Sequence, residues 1–329
     1  MSDYQPIYTI TPEILNLVYG IAKDLERIDI IKEQTLTPKL CRENRIRNIH
    51  SSLWIEANTL TLEQVTDVIN GKKVNAPEKD ILEAKNAYLA YQRLLDCDPY
   101  SVKDLLEQHR ILMDSLKPDF GRFRDGNVGV FAGKIPIHVA PQAALVPDLM
   151  NNLMNWAKNI ELPQIVKSCI FHYEFEFIHP FSDGNGRMGR MWQTLLLYQE
   201  NTIFGWLPVE ELVAENQQRY YNAINESTTK NDSAIFAKFM LELISKAVKN
   251  LKQQQDEKKN VGVNVGQNVG VKYEIIEAIK QNPHITAKEL AAALDKTQRT
   301  IERHIKDLKE HGKLIRVGSD KTGYWEVAI

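Results

Sequence analysis

The sequence predicts a mainly α-helical fold that carries one short β-hairpin and ends in a small winged helix. Three observations lead there. Apolar residues recur at three- and four-residue steps through the first 245 residues. The stretch from Asn127 to Val139 instead alternates apolar and small residues. A low-complexity run after Leu251 then separates a final segment with helix and strand signals of its own.

In chain order, Ile14, Leu15, Val18, Ile21 and Leu25 set an early helix, and Leu105, Leu106, Ile111 and Leu112 set another after Pro99. Breaks at Pro38, Gly71, Pro77, Pro99, Pro118, Pro163, Pro180 and Pro208 punctuate helices rather than domains. They imply roughly eight to ten helices. The hairpin of Asn127 to Val139 turns around Ala132 and Gly133 and needs support from neighbouring elements, because two strands alone are marginal in water. After Leu251 the triplet Asn-Val-Gly stands at 260, 264 and 268. That period is too short for a solenoid, and its Gly and Gln content predicts a flexible tether. Val271 to Ile279, Thr286 to Leu294 and Thr297 to His311 follow as three helices, and LIRVG and GYWEVAI as two strands. Three helices and a hairpin make a winged helix.

Composition narrows the function classes. Of 329 residues, 43% are hydrophobic and 26% charged, the mixture of a globular protein in water. No leader pattern opens the chain and no stretch is apolar for about 18 residues, so a cytoplasmic protein with no membrane partner is expected. Cys41, Cys97 and Cys169 are odd in number and lack CxxC spacing, which predicts buried free thiols. A net charge of -2 gives no overall field toward nucleic acid, so any such binding is local.

The chemical signal is the run from His179 to Arg190, HPFSDGNGRMGR, between the apolar helices SCIFHYEFEFI and MWQTLLLY. Pro180 disfavours helical geometry at His179 and so presents the imidazole at a helix end. Gly184, Asn185 and Gly186 can each adopt positive φ and turn successive N–H groups into a concavity for phosphate oxygens. Arg187 and Arg190 lie on one face of the next helix's first turn, where its dipole favours anions. Two cations at that end make sense around a polyanion such as a nucleotide triphosphate, with Asp183 placed for Mg²⁺. Any one of these residues also suits an ordinary helix connection; the nine specified positions together point to a phosphate site. Two further patterns are coincidences of a polar helix. Glu176 and His179 form E-x-x-H without the second copy that a di-iron site needs, and His172-Tyr-Glu174 lacks the P-C-x-x-C of a zinc deaminase. His172 is read as a satisfied core histidine and Phe181 as a core plug.

This run resembles the Fic family signature HPFx[D/E]GNGRxxR at every fixed position, and the similarity extends over roughly residues 5 to 245, including LLEQHRILM and the GRFR that begins at Gly121. The resemblance implies a Fic-type helical bundle and a protein adenylyltransferase that moves AMP from ATP to a Ser, Thr or Tyr hydroxyl of a target protein. It implies that His179 takes the proton of the attacking hydroxyl and Asp183 holds the Mg²⁺. Gly184, Asn185 and Gly186 would bind phosphate oxygens, and Arg187 and Arg190 the β- and γ-phosphates. Ser52 and Glu56 in HSSLWIEANTLT are similar to the family's inhibitory motif [S/T]xxxE[G/N], whose Glu pairs with the second arginine, here Arg190. Ala57 departs from that pattern, where Gly or Asn is usual. The hairpin residues Val128, Gly129, Val130, Ile135 and Ile137 resemble the flap along which a target segment docks.

The implied organisation is an N-terminal helical region with the inhibitory helix at 1–98, a catalytic domain at 99–247, a tether at 248–271 and a winged helix at 272–329. That last segment has 11 Lys or Arg and 9 Asp or Glu. Its third helix offers Gln298, Arg299, Arg303, Lys306 and Lys309 to DNA, interrupted by Glu302, Asp307 and Glu310. Dimerisation or target recruitment fits the same segment, and a homodimer burying the inhibitory region fits the whole. Two other activities use the same residues: a nucleotide-sensing transcription regulator, and an enzyme that removes AMP or transfers another nucleotide. The intact His179 and Asp183 favour the adenylyltransferase, because a sensor needs no general base.

Overall fold

A computed structural model describes residues 4–29, 38–117, 120–132, 135–294, 296–310, 314–318 and 323–327. The chain forms two compact units, 1–252 and 253–329. The first holds α1 (Pro12–Asp29), α2 (Pro38–Ile55), α3 (Leu62–Ile69), α4 (Glu78–Arg93) and α5 (Val102–Leu112), then the strands β1 (Gly129–Ala132) and β2 (Ile135–Val139). There follow α6 (Val146–Asn159), α7 (Gln164–Ile178), α8 (Asn185–Glu200), α9 (Val209–Glu215), α10 (Gln217–Lys230) and α11 (Ala234–Gln281). Up to residue 245 the described residues thus begin eleven α-helices, one more than the punctuation suggests. The expected prolines start several of them: Pro77, Pro163 and Pro208 are the N-cap residues of α4, α7 and α9, whereas Pro118 lies outside the described residues. Ile14, Ile21 and Leu25 of α1 face the core, while Leu15 points to solvent.

The centre of this unit is the pair α7 and α8, which pack closely on each other. Helix α7 is buried on nearly every side, from Ile165 through Glu176, and α8 is buried from Arg187 through Leu197. A helix without a solvent face must lie inside a layer of others. The connection between the two, residues 179–184, is therefore held between buried helix ends, with Pro180, Phe181 and Gly184 buried and Ser182 exposed.

The hairpin forms where the alternation predicts it. β1 and β2 are antiparallel, Gly129 opposite Val139 and Ala132 opposite Ile135, with an irregularity between Val130 and Phe131. A two-stranded sheet leaves each strand one edge unpaired within the sheet.

Helix α11 includes residues 248–271 and ends at Gln281. The second unit has its own core of Ile275, Ile279, Leu290, Ile301, Ile305, Leu308 and Leu314. It comprises the end of α11, α12 (Ala287–Ala293), α13 (Gln298–Glu310) and the antiparallel strands β3 (Leu314–Val317) and β4 (Tyr324–Val327). Thr286 and Glu289 form a capping box at the start of α12. On α13, Gln298, Arg299, Arg303, Lys306 and Lys309 are all exposed, and Gln298 donates to Glu302 at 2.8 Å. This is a winged helix-turn-helix.

The end of α2 is a Schellman turn. The N–H of Asn58 reaches the carbonyl of Leu53 at 3.1 Å and that of Ala57 reaches Trp54 at 3.0 Å. Ala57 occupies the left-handed position with φ 63°. The preference for Gly or Asn there is thus a backbone requirement. Ala57→Gly relieves that strain and is expected to raise stability by about 1 kcal/mol, measured as a higher midpoint in thermal melts of the full chain. An unchanged or lower midpoint would show that Ala57 costs the turn nothing.

Candidate functional site

The site is built on the α7–α8 connection. His179 ends α7 in a left-handed conformation, φ 52° and ψ 61°, rather than in the extended one that a following proline favours. Arg124 supplies the reason. Its Nε donates to the His179 carbonyl at 2.8 Å and its Nη2 to the Ile178 carbonyl at 3.3 Å, while its backbone N–H donates to the Pro180 carbonyl at 2.9 Å. One buried guanidinium thus fixes the peptide groups around the histidine, whose side chain is half-buried. Phe181 is fully buried and stacks on His109 with ring centroids 3.7 Å apart. His109 accepts from the Gly121 N–H through Nδ1 at 3.0 Å, which leaves its Nε2 to donate to the Asp183 carbonyl at 3.0 Å.

The loop expected to cradle phosphate differs in conformation from the one the sequence suggests. Of the three residues expected to adopt positive φ, only Gly184 does so, at 82°. A side chain there would meet the Met113 sulfur at 2.8 Å. Asn185 and Gly186 already belong to the first turn of α8. Asn185 spends its side chain on the loop, accepting from the Phe181 N–H and donating to the Phe181 carbonyl, both at 2.8 Å. No side chain caps α8, and its first intrahelical donor is the N–H of Met188 to Gly184. The helix itself therefore gives no acceptor to the N–H groups of Asn185, Gly186 and Arg187. A helix N-terminus in this state is an anion site.

Both arginines are buried beside it. Arg187 is 4% exposed and its Nη1 lies 3.3 Å from Glu83 Oε1. Glu83 in turn accepts from Asn58 at 2.8 Å. Arg190 is 3% exposed and donates to Glu56 Oε1 at 2.8 Å, to the Ser52 hydroxyl at 3.1 Å and to the Ser52 carbonyl at 3.1 Å. Burial works against its charge, but Glu56 beside it and Glu210 nearby outweigh that and hold it firmly protonated. Glu56 also lies against Gly186, so close that any side chain at 186 would collide with its carboxylate. The resting structure therefore has a carboxylate of its own at the helix N-terminus.

Asp183 is about 40% exposed; its Oδ1 accepts from the Gly184 N–H at 2.7 Å, and Lys117 and Arg187 lie 3.7 and 3.6 Å from its oxygens. No cluster of three or more metal-binding side chains exists among the described residues. A lone accessible carboxylate fits Mg²⁺, which takes its other ligands from phosphates and water. Of the flap residues, Gly129 is exposed and Val128 half-buried; Val130 and Ile135 pair across the hairpin, and Ile137 lies within β2. His172, as expected, is satisfied in the core, hydrogen-bonded to Gln193 at 2.7 Å and to Tyr220 at 3.1 Å, with burial pushing its pKa down to about 3. Cys97 and Cys169 are buried free thiols and Cys41 is half-buried. No helix of the described residues is long and apolar enough to cross a membrane.

Sequence reasoning missed Arg124, His109, Glu83 and Glu210. The first two stand in segments that it had quoted for their resemblance. The two carboxylates give no local signal, because their partners are far along the chain.

The sequence model of the Fic/DOC family matches residues 99–197, and that of winged helix-turn-helix DNA-binding matches residues 271–315. The chain is 30% identical over 210 residues to protein adenylyltransferase Fic of Aedes aegypti, covering 60% of this chain and 40% of that protein. It is 27% identical over 231 residues to protein adenylyltransferase fic-1 of Caenorhabditis elegans, covering 67% and 43%. It thus spans less than half the length of these curated relatives. Among solved structures, a Fic family protein from Desulfovibrio desulfuricans G20 superposes with a TM-score of 0.74 at 39% identity, over 99% of this chain and 98% of that one. Fic-1 from C. elegans superposes with a TM-score of 0.60 at 19% identity, over 74% and 72%, a likeness of fold.

The site carries a pH dependence. Burial pushes the Glu176 carboxyl up to about 8, against the pull of Arg190. Unfolded, the same group ionises near pH 4.5. Between those values the unfolded chain binds fewer protons, so this residue's contribution to stability is present below pH 4.5 and is lost as pH rises toward 8. Glu176→Gln is expected to gain in melting temperature relative to the unsubstituted protein as pH is raised from 5 to 8. A difference that stays constant over that range would refute a raised pKa.

Proposed function

The chain belongs to the Fic family, and on that premise we propose that it transfers AMP from ATP to a Ser, Thr or Tyr hydroxyl of a target protein or of itself. The observation that carries this reading is the α8 N-terminus: three N–H groups without helical acceptors and two buried arginines, one turn from a histidine fixed at the end of α7. Backbone donors and two arginines beside a histidine suit a polyphosphate and a base together.

In the proposed reaction the target hydroxyl gives its proton to the His179 imidazole as its oxygen bonds to the α-phosphorus, and the bond to pyrophosphate breaks in line. Arg187 and Arg190 hold the β- and γ-phosphates, and the backbone of Gly184, Asn185 and Gly186 receives phosphate oxygens. Asp183 would hold Mg²⁺, which neutralises phosphate charge when bound. The target's extended segment pairs with an edge of the β1–β2 hairpin along Val128, Gly129, Val130, Ile135 and Ile137, which brings its hydroxyl to His179.

Glu56 restrains this reaction. Its carboxylate lies at the helix N-terminus and on Arg190, where the γ-phosphate is placed in this reading. The winged-helix unit offers DNA the exposed basic face of α13.

With ATP labelled at the α-phosphate, Mg²⁺ and a lysate as source of targets, Glu56→Gly is expected to raise covalent label on protein by about tenfold or more, the size of one charge-assisted hydrogen bond. Adding His179→Ala is expected to lower it by at least roughly 100-fold with the melting curve unchanged. A folded Glu56→Gly protein that labels nothing would sink the transferase reading.

A further inference from the structure

Among the described residues, the side-chain hydrogen bonds of Arg190 all end on the last turn of α2 and the residue just after it: the Ser52 hydroxyl, the Ser52 carbonyl and the Glu56 carboxylate. An arginine buried to 3% exposure and held only from the inhibitory helix would be orphaned whenever that helix let go. A second carboxylate prevents this. Glu210, on α9, is itself 2% exposed and places Oε2 at 3.7 Å from Arg190 Nε. That oxygen accepts no hydrogen bond. The other oxygen of the same carboxylate, Oε1, accepts from the hydroxyl of Tyr91 on α4. Glu210 is thus anchored through Tyr91 of α4 as well as through Ser52 of α2, so that release of α2 leaves it the Tyr91 anchor, with Oε2 open toward the guanidinium.

Glu56 and Glu210 differ in the way that separates an exchangeable partner from a resident one. The Glu56 side chain is 35% exposed and stands at the mouth of the site, where an incoming phosphate can replace it. The Glu210 side chain is 3% exposed and lies beneath Arg190, beyond the reach of solvent. Resting on the adenylyltransferase reading, we propose that Glu210 is the positioning residue of Arg190: the resident counter-ion that keeps the guanidinium aimed at the γ-phosphate once Glu56 and Ser52 are released. A short rotation that lengthens the bonds to Ser52 closes the 3.7 Å gap from Nε to Oε2, and leaves the two Nη groups directed outward as a fork for phosphate oxygens.

The test compares ATP with ADP, which lacks the γ-phosphate, in the Glu56→Gly protein, with and without Glu210→Gln, by calorimetry in the presence of Mg²⁺. Glu56→Gly is expected to prefer ATP over ADP, and Glu210→Gln to weaken ATP about tenfold while ADP changes little, so that the preference shrinks. Tyr91→Phe, which frees Glu210 without removing it, is expected to shrink it less, and it carries the comparison if Glu210→Gln does not fold. A general loss of structure would weaken both nucleotides alike, and that result overturns the proposal. So does tighter ATP binding in Glu210→Gln, which would make Glu210 a second competitor of the phosphate. If Glu56→Gly binds no ATP at all, the transferase reading fails first and the inference falls with it.

Discussion

A guanidinium withdrawn from water is the constraint around which this site is organised. Arg190 lies on the second turn of α8 at 3% exposure. Leaving such a charge without compensation costs about 3–5 kcal/mol, a large share of a domain's net stability of about 5–15 kcal/mol. The surrounding helices answer that need: α2 with Ser52 and Glu56, and α9 with Glu210. Arg187, one turn earlier, has the same need and meets it with Glu83 on α4. The N-terminal region is consequently a set of counter-ions for the motif helix as much as a cover for it. Asn58 links the two arrangements, because it follows Glu56 by two residues and donates to Glu83 at 2.8 Å.

The same economy governs the loop. Arg124, His109 and Asn185 are polar and buried, and each makes at least one side-chain hydrogen bond to a backbone group of residues 178–183, Arg124 reaching Gly126 and Pro141 and His109 reaching Gly121 as well. Their effect is to satisfy the loop's carbonyls and N–H groups internally while leaving the first turn of α8 uncapped. A binding site preorganised in this way pays little ordering entropy when an anion arrives. The helix dipole adds to it at no further cost.

Much of this was legible in the sequence, for reasons tied to distance along the chain. The segment His179 to Arg190 is contiguous, so proline, glycine and arginine chemistry could be read from neighbours. The Ser52 to Glu56 pairing with Arg190 rested on a resemblance, since nothing local relates residues 134 apart. Local reasoning went astray where tertiary contacts choose the conformation. His179 is left-handed because Arg124 holds the flanking carbonyls, and Gly186 is helical because α8 begins one residue earlier. Glu83 and Glu210 were invisible for a different reason: an acidic residue on an amphipathic helix looks solvated until the burial of its partner is known.

The strength of the proposed brake follows from the unequal burial of its two partners. Arg190 is buried, but the Glu56 side chain is 35% exposed, so the pair is neither a surface ion pair worth almost nothing nor a closed internal one. One charge-assisted hydrogen bond of this type contributes about 1.5–3 kcal/mol, which biases the resting state by roughly tenfold to more than a hundredfold. A bias of that size lies within reach of a ligand present well above its dissociation constant. Ala57 moves the balance further, since a strained turn just after Glu56 lowers the cost of leaving it. A brake built this way is graded rather than absolute, and the resident Glu210 is what allows it to open without stranding the charge that it covers.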